Sequence, residues 1–262
     1  MIRALWSAGT GMQAQQMNID TIANNLANVN TTGFKKMRAE FQDLLYQTIR
    51  EPGSSSYQGV QIPTGLQIGL GVRPVATARI FTQGDHLQTD NPLDLRIEGQ
   101  GFFQVELPDG TVAYTRNGSF KEDGNGQLVT SEGYIVQPAI TFPSGVEQIN
   151  VGTDGTISVQ VSGETTAQEV GKLDLVTFVN PAGLDSMGNG LYRQSGASGD
   201  PNTVSPGTEG AGTIVQGALE MSNVKVVEEM INMIVAQRAY EVNSKAIQAS
   251  DEMLQTANNL RR

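Results

Sequence analysis

The stretch NIDTIANNLANVNTTGFKK, residues 18–36, decides how the N-terminal part of the chain folds. It contains five asparagines, although the short asparagine amide competes for backbone hydrogen bonds and disfavours a helix. Its apolar residues nevertheless keep a helical spacing: Ile19, Ile22, Leu26 and Val29. An amphipathic helix is therefore predicted, and Gly33 in a left-handed conformation is expected to end it.

Both ends of the chain carry a seven-residue apolar repeat, which is typical of a helix that packs on another helix. The N-terminal repeat contains Leu5, Met12, Ile19 and Leu26. The C-terminal repeat contains Val226, Met233, Tyr240, Ile247 and Leu254, and it is widened by Met230 and Ile234. No Gly or Pro interrupts residues 218–262, so one long helix is predicted there.

The region between the repeats has the pattern of a β domain, with short apolar runs separated by turn residues such as Pro108-Asp109-Gly110. The predicted fold class is therefore α+β, an all-β central domain inserted between two long helices that pair as a coiled-coil-like core. The predicted domains are residues 1–45 (N-terminal helix of the core domain), 46–73 (extended linker segment), 74–212 (central β domain) and 213–262 (C-terminal helix of the core domain).

The helical surfaces beside the apolar repeats are almost free of charge. Asp20 is the only charged residue between Ala4 and Thr32, and residues 230–237, MINMIVAQ, are uncharged. Polar residues form a stripe at helical spacing: Asn18, Thr21, Asn25 and Asn28. A helix facing water normally carries Lys and Glu, whereas amides can be buried without the desolvation cost of charge. Burial against other subunits is favoured; a two-helix subdomain with a solvated amide face is the alternative.

Composition and motifs give no support for catalysis or for a metal site. The net charge of −10 argues against nucleic acid and anionic membranes as partners, and without Cys there is no thiolate chemistry. The single histidine, His86, has no cluster of ligands around it in the sequence. The calcium-like spacing from Asp123 places Leu128 and Tyr134 where Gly and Glu are required, so a β-turn is expected. We therefore expect no enzyme activity, no catalytic residues, no cofactor and no metal.

Targeting features are also absent from the sequence pattern. No run of about 18 apolar residues occurs, so no membrane insertion is expected. The first residues lack the apolar core and cleavage site of a secretory signal peptide.

Four segments have the pattern of one protein family: ANNLANVNTTGFKK (23–36), LDLRIEGQGFFQV (93–105), AYTRNGSFKEDGNGQLVTSEGYIVQP (113–138) and LEMSNVKVVEEMINMIVAQRAYEVNSKAIQASDEMLQTA (219–257). The first resembles the N-terminal signature, the next two the central β region and the last the C-terminal helix of the flagellar rod and hook proteins, the axial subunits of the bacterial flagellum. Within the family, total length and TGLQIGLGVRPVATARIFTQGD (64–85) favour the distal rod subunits.

The resemblance implies a structural subunit that self-assembles into a helical tubular drive shaft across the periplasm and transmits torque to the hook. Export through the flagellar type III apparatus, without a cleavable signal peptide, is implied as well. The implied partners are further copies of the chain, proximal rod proteins, the hook protein and the surrounding P- and L-ring proteins. The terminal helices are expected to be largely disordered in the monomer and to fold on assembly.

Two alternatives remain at this point. One is another rod or hook paralogue. The other is a secreted oligomeric β-domain binding module, for which an aromatic platform of Phe102, Phe103, Tyr114 and Tyr134 is available, although their alternation in strands favours core packing.

Three groups of residues are predicted to mediate assembly. The group on the N-terminal helix is Leu5, Met12, Asn18, Ile19, Ile22, Asn25, Leu26, Asn28, Val29, Gly33 and Phe34. The group on the C-terminal helix is Val226, Met230, Met233, Ile234, Tyr240, Ile247 and Leu254. The predicted rod-stiffening segment, which resembles the one that distinguishes a straight rod from a flexible hook, contains Pro52, Tyr57, Ile62, Pro63, Leu66, Ile68 and Leu70.

Overall fold

The chain begins and ends in a long helix: α1 spans Ile2–Ala27 and α2 spans Val226–Asn259. The computed structural model describes residues 2–51, 55–57, 60–61, 63–163 and 166–259. Between the helices these residues form short strands, which confirms the predicted α+β class. The chain divides into two units: unit 1 is Met1–Leu26, Met37–Ala78 and Lys225–Arg262, and unit 2 is Ala27–Lys36 and Arg79–Val224.

Unit 1 combines the helices with paired strands. The strands are β1 (Met37–Asp43), β2 (Tyr46–Arg50), β3 (Ser55–Tyr57), β4 (Val60–Gln61), β5 (Leu66–Gly69) and β6 (Val72–Arg79), whose last residue belongs to unit 2. β1 pairs with β6, β2 with β5, and β3 with β4. The prediction of an extended linker over residues 46–73 is therefore wrong where the chain is described. Aromatic and β-branched residues on both sides of the Pro/Gly/Ser-rich passage pair as strands instead.

Unit 2 is built from β-strands in the residues that the structure describes. They are β7 (His86–Gln88), β8 (Leu95–Glu98), β9 (Phe103–Glu106), β10 (Val112–Thr115), β11 (Phe120–Glu122), β12 (Leu128–Thr130), β13 (Ile135–Gln137), β14 (Val146–Val151), β15 (Thr156–Val161), β16 (Gln168–Lys172), β17 (Leu175–Thr177), β18 (Asp185–Gly188), β19 (Leu191–Arg193), β20 (Asn202–Val204), β21 (Thr213–Gln216) and β22 (Ala218–Glu220). One sheet has the order β11-β12-β13-β9-β10-β19-β18, and a second has the order β14-β15-β16. β9 and β10 pair antiparallel, which confirms the hairpin predicted around Asp109-Gly110.

Two neighbouring phenylalanines serve two separate cores in unit 2. Phe103 is 1% exposed and packs in the larger cluster, edge-on to Phe120 at 5.0 Å between ring centroids. Phe102 packs in a smaller aromatic cluster with Phe178 and Tyr192. Successive side chains of a strand point to opposite faces, so one short segment contributes to both cores. Burying each ring contributes about 1.5–3 kcal/mol.

The borders of unit 2, which we also call the β unit, differ from those of the predicted central β domain, residues 74–212. Helix α1 ends at Ala27, and residues 27–36 belong to unit 2. At the other end, β21 pairs with β8 and β22 pairs with β7, so the predicted helical domain of residues 213–262 begins too early. The local pattern misled the prediction because residues 218–225 lack Gly and Pro, whereas their strand partners lie more than a hundred residues away.

Gly33 has the predicted left-handed backbone, with φ of +69°, but it lies beyond the end of α1. Its N–H donates to the Glu220 carbonyl oxygen at 2.8 Å, which joins the N-terminal segment to β22. A Cβ at this position would lie 2.7 Å from the Asn117 backbone nitrogen and 2.8 Å from the Arg116 carbonyl carbon. Gly33 is therefore required both for its φ angle and for the close approach of two backbones.

The Gly33→Ala variant is expected to be strongly destabilised, and Gly110→Ala is its matched control. Both glycines have positive φ, +69° and +77°, but only Gly33 has backbone atoms within 4 Å of an added Cβ. Gly110→Ala should lower the free energy of unfolding by about 1–2 kcal/mol, and Gly33→Ala by about 1–3 kcal/mol more because of the clash. Thermal unfolding gives the loss in the free energy of unfolding for both variants. Equal losses would contradict the role assigned to the close backbone contact at Gly33.

Candidate functional site

The two helices lie against each other in antiparallel orientation within unit 1. The Nδ2 atom of Asn25 in α1 donates to Glu229 in α2 at 3.2 Å. Near the other end, Gly11 in α1 lies so close to Asn243 in α2 that an added Cβ would come within 2.9 Å of its side-chain nitrogen. The two contacts are separated by fourteen residues in both helices, in opposite chain directions. The predicted contact between the helices is confirmed.

The covered seam of α2 is formed by small and polar residues instead of the large apolar ones. The buried residues of α2 are Glu229, Ala236 and Ser250, which fall on one seven-residue repeat with Asn243. Met233, Ile247 and Leu254 from the predicted repeat are half-buried, whereas Val226 and Tyr240 are exposed. The predicted period is correct, but the buried row of α2 is offset by three residues from the predicted one and contains Glu229 and Asn243, which lie against α1.

A large apolar surface on α2 is consequently left uncovered by this chain. We define the α2 face as the exposed residues Val227, Met230, Ile231, Ile234 and Val235. The residues recur at intervals of three and four, so they lie on adjoining rows of one side of the helix. Val235 is 62% exposed and Val227 is 70% exposed. Of these five, only Met230 and Ile234 were predicted from the sequence; the uncharged run of residues 230–237 was the signal for Ile231 and Val235.

The predicted residues of α1 are mostly covered within the chain. Ile22 and Asn25 are buried, and the following are half-buried: Leu5, Met12, Asn18, Ile19, Leu26, Asn28 and Val29. Asn28 and Val29 lie just beyond the helix end, in unit 2. Trp6, which the sequence analysis did not include, is 67% exposed and lines a shallow groove with Leu5 and Gly9.

Asn25 has a specific role within one chain. Its Oδ1 accepts the Met37 N–H at 2.8 Å, and its Nδ2 donates to the Met37 carbonyl oxygen at 2.8 Å. The same Nδ2 reaches the buried Glu229 carboxylate in the first turn of α2, where a negative charge is favoured by the helix dipole. One amide thus fixes the start of β1 and the partner helix together, which only a side chain with both a donor and an acceptor can do.

The strand pair β2–β5 has little burial of its own. Every residue of β2 is exposed, as are Leu45, Leu66 and Leu70. Of the predicted stiffening residues, Pro63 is exposed and Ile68 is half-buried; Pro52, Ile62 and the side chain of Tyr57 lie outside the described residues. An isolated two-stranded pair is marginally stable in water, so this apolar hairpin has the character of a surface that needs a partner.

Gly33 and Phe34, the last two predicted residues of the N-terminal group, lie in unit 2. Gly33 is buried, and the half-buried Phe34 ring lies 5.9 Å from the Arg79 guanidinium. Their surroundings are supplied by the same chain, and their role in assembly stays a prediction.

A buried charge cluster in unit 2 was missed by the sequence analysis. Lys35 Nζ lies 2.6 Å from Glu220 Oε1, and Arg116 Nε lies 3.0 Å from Glu220 Oε2. All three side chains are at most 4% exposed. We call this set the Glu220 cluster. Two cations share one carboxylate, so the cluster carries one excess positive charge when all three groups are ionised.

The electrostatics of the Glu220 cluster follow from its burial. Burial lowers the pKa of Lys35 from its ordinary value of 10.5, the Glu220 carboxylate opposes this shift, and the Arg116 guanidinium adds to it. Burial likewise lowers the pKa of Arg116. Backbone groups complete the shell: Lys35 Nζ donates to the Thr82 carbonyl oxygen at 2.8 Å, and the Gly84 N–H donates to Glu220 Oε1 at 2.9 Å.

His86 and the turn at Asp123, which were the other candidates for a chemical site, lie in ordinary strand and turn positions. His86 is exposed on β7, and within the described ranges no group of three His, Asp or Glu residues is placed to hold a metal ion. The predicted turn at Asp123 is confirmed, because the Gly126 N–H donates to the Asp123 carbonyl oxygen at 2.8 Å between β11 and β12. Neither described helix is both long and apolar enough to span a bilayer.

Three family models match in order along the chain. The model described as "Flagella basal body rod protein" matches residues 5–35. The model described as "Flagellar hook protein FlgE/F/G D1 domain" matches residues 96–159. The model described as "Flagellar basal body rod FlgEFG protein C-terminal" matches residues 215–260.

Two flagellar rod proteins match along nearly the whole chain, and a flagellar hook protein matches over about half of it. The flagellar basal-body rod protein FlgG of Buchnera aphidicola subsp. Acyrthosiphon pisum (strain APS) is 54% identical over 260 residues, which cover 99% of this chain and 100% of that protein. The FlgG protein of Borreliella burgdorferi is 53% identical over 264 residues, which cover 100% of both chains. The flagellar hook protein FlgE of Helicobacter mustelae is 46% identical over 138 residues, 52% of this chain and 30% of that protein. The chain therefore belongs to the flagellar basal-body rod protein family.

Proposed function

We propose that this chain is a structural subunit of the distal flagellar rod and that it self-assembles into a helical tubular shaft that transmits torque to the hook. The observation that carries the proposal is the α2 face, an exposed and uncharged apolar surface on the helix that the rod family model matches. Soluble monomers rarely expose contiguous apolar surface of this kind, and where they do it commonly marks an interface.

The geometry of the helix pair supports an open polymer of identical subunits. Glu229 and Asn243 lie against α1 on another side of the helix, so the exposed α2 face can bind another molecule. A surface on one copy that binds a different surface on the next copy forms a filament when the rotation does not close a ring. The absence of charge across residues 230–237 removes the desolvation cost that would oppose such burial.

The extent of the matches supports a rod subunit over a hook subunit. The FlgG relatives match over their full length, whereas the hook protein FlgE of Helicobacter mustelae matches over 30% of its length. The apolar hairpin β2–β5 supports the same choice, because an exposed hairpin that packs between neighbouring copies would resist bending. Stiffening of the rod is therefore assigned to residues 45–70.

The location and the partners of the chain in the cell follow in general terms from its family and in detail from the proposed function. It is a component of the flagellar basal body, where it assembles with other axial proteins. At the finer level, the subunit spans the periplasm in the assembled rod and contacts proximal rod proteins, the hook protein and the P- and L-rings. It is exported by the flagellar apparatus, and its helices α1 and α2 become ordered on assembly.

The alternative of a β-domain binding module loses its main support. Phe102, Phe103 and Tyr114 are at most 5% exposed and form parts of the two cores of unit 2. Buried rings of this kind cannot form an exposed aromatic platform, and the fourth residue, Tyr134, packs partly against the larger core.

The Val235→Asp variant is expected to fold but not to assemble. An aspartate in the α2 face places a charge in the proposed subunit interface, where an unpaired buried charge is strongly unfavourable. Val179→Asp is the matched control, because Val179 in unit 2 is 92% exposed and lies far from the helices in sequence. Electron microscopy of isolated basal bodies should show no distal rod with Val235→Asp and normal rods with Val179→Asp. Normal rods with Val235→Asp would contradict the proposed interface.

Removal of the β2–β5 hairpin is expected to yield a rod that assembles but bends. The hairpin is removable, because the Leu44 N–H donates to the Gly71 carbonyl oxygen at 2.9 Å, so an Asn-Gly turn can replace residues 45–70. The β1–β6 pair is retained in this variant, and its thermal unfolding serves as the control for folding. Curvature measured in electron micrographs should exceed that of the normal rod. A straight rod of normal stiffness would rule out the role given to the hairpin.

A further inference from the structure

The chain passes repeatedly between its two units, and three segments of unit 2 lead to these crossings. They are residues 27–36, which join unit 1 at both ends, the segment that starts at Arg79, and the segment that ends at Val224. Force that is carried along the backbone from the helices to the β unit passes through these segments. The contacts that hold these segments to the β unit therefore affect how force is transmitted as well as how stable the fold is.

All three segments meet at the Glu220 cluster. The first segment contributes Lys35, the second contributes the Thr82 carbonyl and the Gly84 N–H, and the third contains Glu220 itself. Lys35 and Glu220 are 185 residues apart in sequence, yet their side chains form a 2.6 Å ion pair. The carboxylate therefore binds groups from every segment that leads out of the β unit.

Asn223 adds a second tie among the same segments. Its Oδ1 accepts the Lys36 N–H at 2.7 Å, and its Nδ2 donates to the Ile80 carbonyl oxygen at 2.8 Å. The Ile80 N–H in turn donates to the Lys36 carbonyl oxygen at 3.0 Å. Backbone and amide contacts thus align the segments, and the ion pairs hold them.

Arg116 fixes the cluster to the sheet. It directly follows Thr115, the last residue of β10, which is a central strand of the large sheet. Its guanidinium donates to the carbonyl oxygens of Gly101 at 2.6 Å and Gly99 at 2.7 Å, in the connection between β8 and β9. The cluster is therefore anchored on the β9–β10 hairpin by charge-assisted bonds, which are stronger than neutral ones.

We propose that Glu220 is a positioning residue that locks the three crossing segments onto the large sheet, so that they move with the β unit when the helices are loaded. The inference rests on the proposed function as a torque-transmitting rod subunit. It adds the residue through which torque passes from the helical part of the chain to the β part. Ion pairs suit this role because a buried carboxylate held by two cations and a backbone N–H has few alternative positions.

Hydrogen exchange of the soluble full-length protein tests the proposal. In Glu220→Gln, the amides of Gly33, Lys36, Ile80 and Gly84 should exchange at least about 100-fold faster, because a buried pair is broken. The amides of β9, β10 and β13 should keep their protection. Glu98→Gln is the matched control, since Glu98 pairs with Arg96 in the same unit but its side chain is 61% exposed. Unchanged protection of the crossing segments would overturn the proposal, as would an equal loss of protection throughout unit 2.

A second substitution tests the electrostatic basis. Glu220→Gln leaves two buried cations together, whereas Lys35→Met leaves the balanced pair of Arg116 and Glu220. The midpoint of thermal unfolding should fall by about 10 °C for Glu220→Gln and by less than half of that for Lys35→Met. Adding Lys35→Met to Glu220→Gln should raise the midpoint again, because it removes one of the two repelling charges. A further fall in the double variant would overturn the assignment, since it would show that the cluster acts only by packing.

Failure of this proposal is distinguishable from failure of the proposed function. The exchange and unfolding measurements use soluble protein and need no rod. Rods assembled from Glu220→Gln subunits should form in normal number, because the α2 face is intact, but cells that carry them should rotate a tethered load more slowly than cells with Glu98→Gln. Equal rotation by the two variants would overturn the torque role, whereas a wild-type protein that forms no rods would overturn only the proposed function.

Discussion

The buried carboxylate of Glu220 is the constraint on which the organisation of the β unit depends. It forms ion pairs with Lys35 and Arg116, two cations that the fold removes from water at considerable cost. Through them it joins the segment after α1, the segment after β6 and the segment before α2 to one hairpin of the large sheet. Segments that lie far apart in the sequence are thereby held together at one point.

Helix α2 has one side that lies against α1 and another side, the α2 face, that is exposed. The row of α2 that contains Glu229 and Asn243 lies against α1 within the chain, and the large apolar residues of the α2 face remain exposed. A monomer would gain more hydrophobic burial by the opposite arrangement. The observed one is understandable if the larger burial occurs between copies, because a polymer is then favoured over a monomer with a satisfied surface. Asn25 is consistent with this arrangement, because its amide makes hydrogen bonds within the chain and adds no charge to the helix.

The parts of the fold that depend on local pattern could be predicted from the sequence. The seven-residue repeats predicted both helices, and Asp109-Gly110 predicted the β9–β10 hairpin. The rotation of the α2 seam could not be predicted, because the repeat gives the period of a stripe but not which of two adjoining stripes meets the partner. Lys35 looked like a basic residue after a helix, since its partner lies 185 residues away and no local signal links the two. The strands of residues 46–69 were hidden by the Pro/Gly/Ser-rich passage between them.

A high-resolution electron microscopy map of the assembled rod tests the central claim most directly, because it shows both surfaces of α2 in one experiment. The account predicts that Ile231 and Val235 are buried against neighbouring copies. Glu229 and Asn243 should still lie against α1 of their own chain, and the Lys35–Glu220 pair should be retained. A map in which the α2 face is open to solvent, with the copies joined only through their β units, would contradict it.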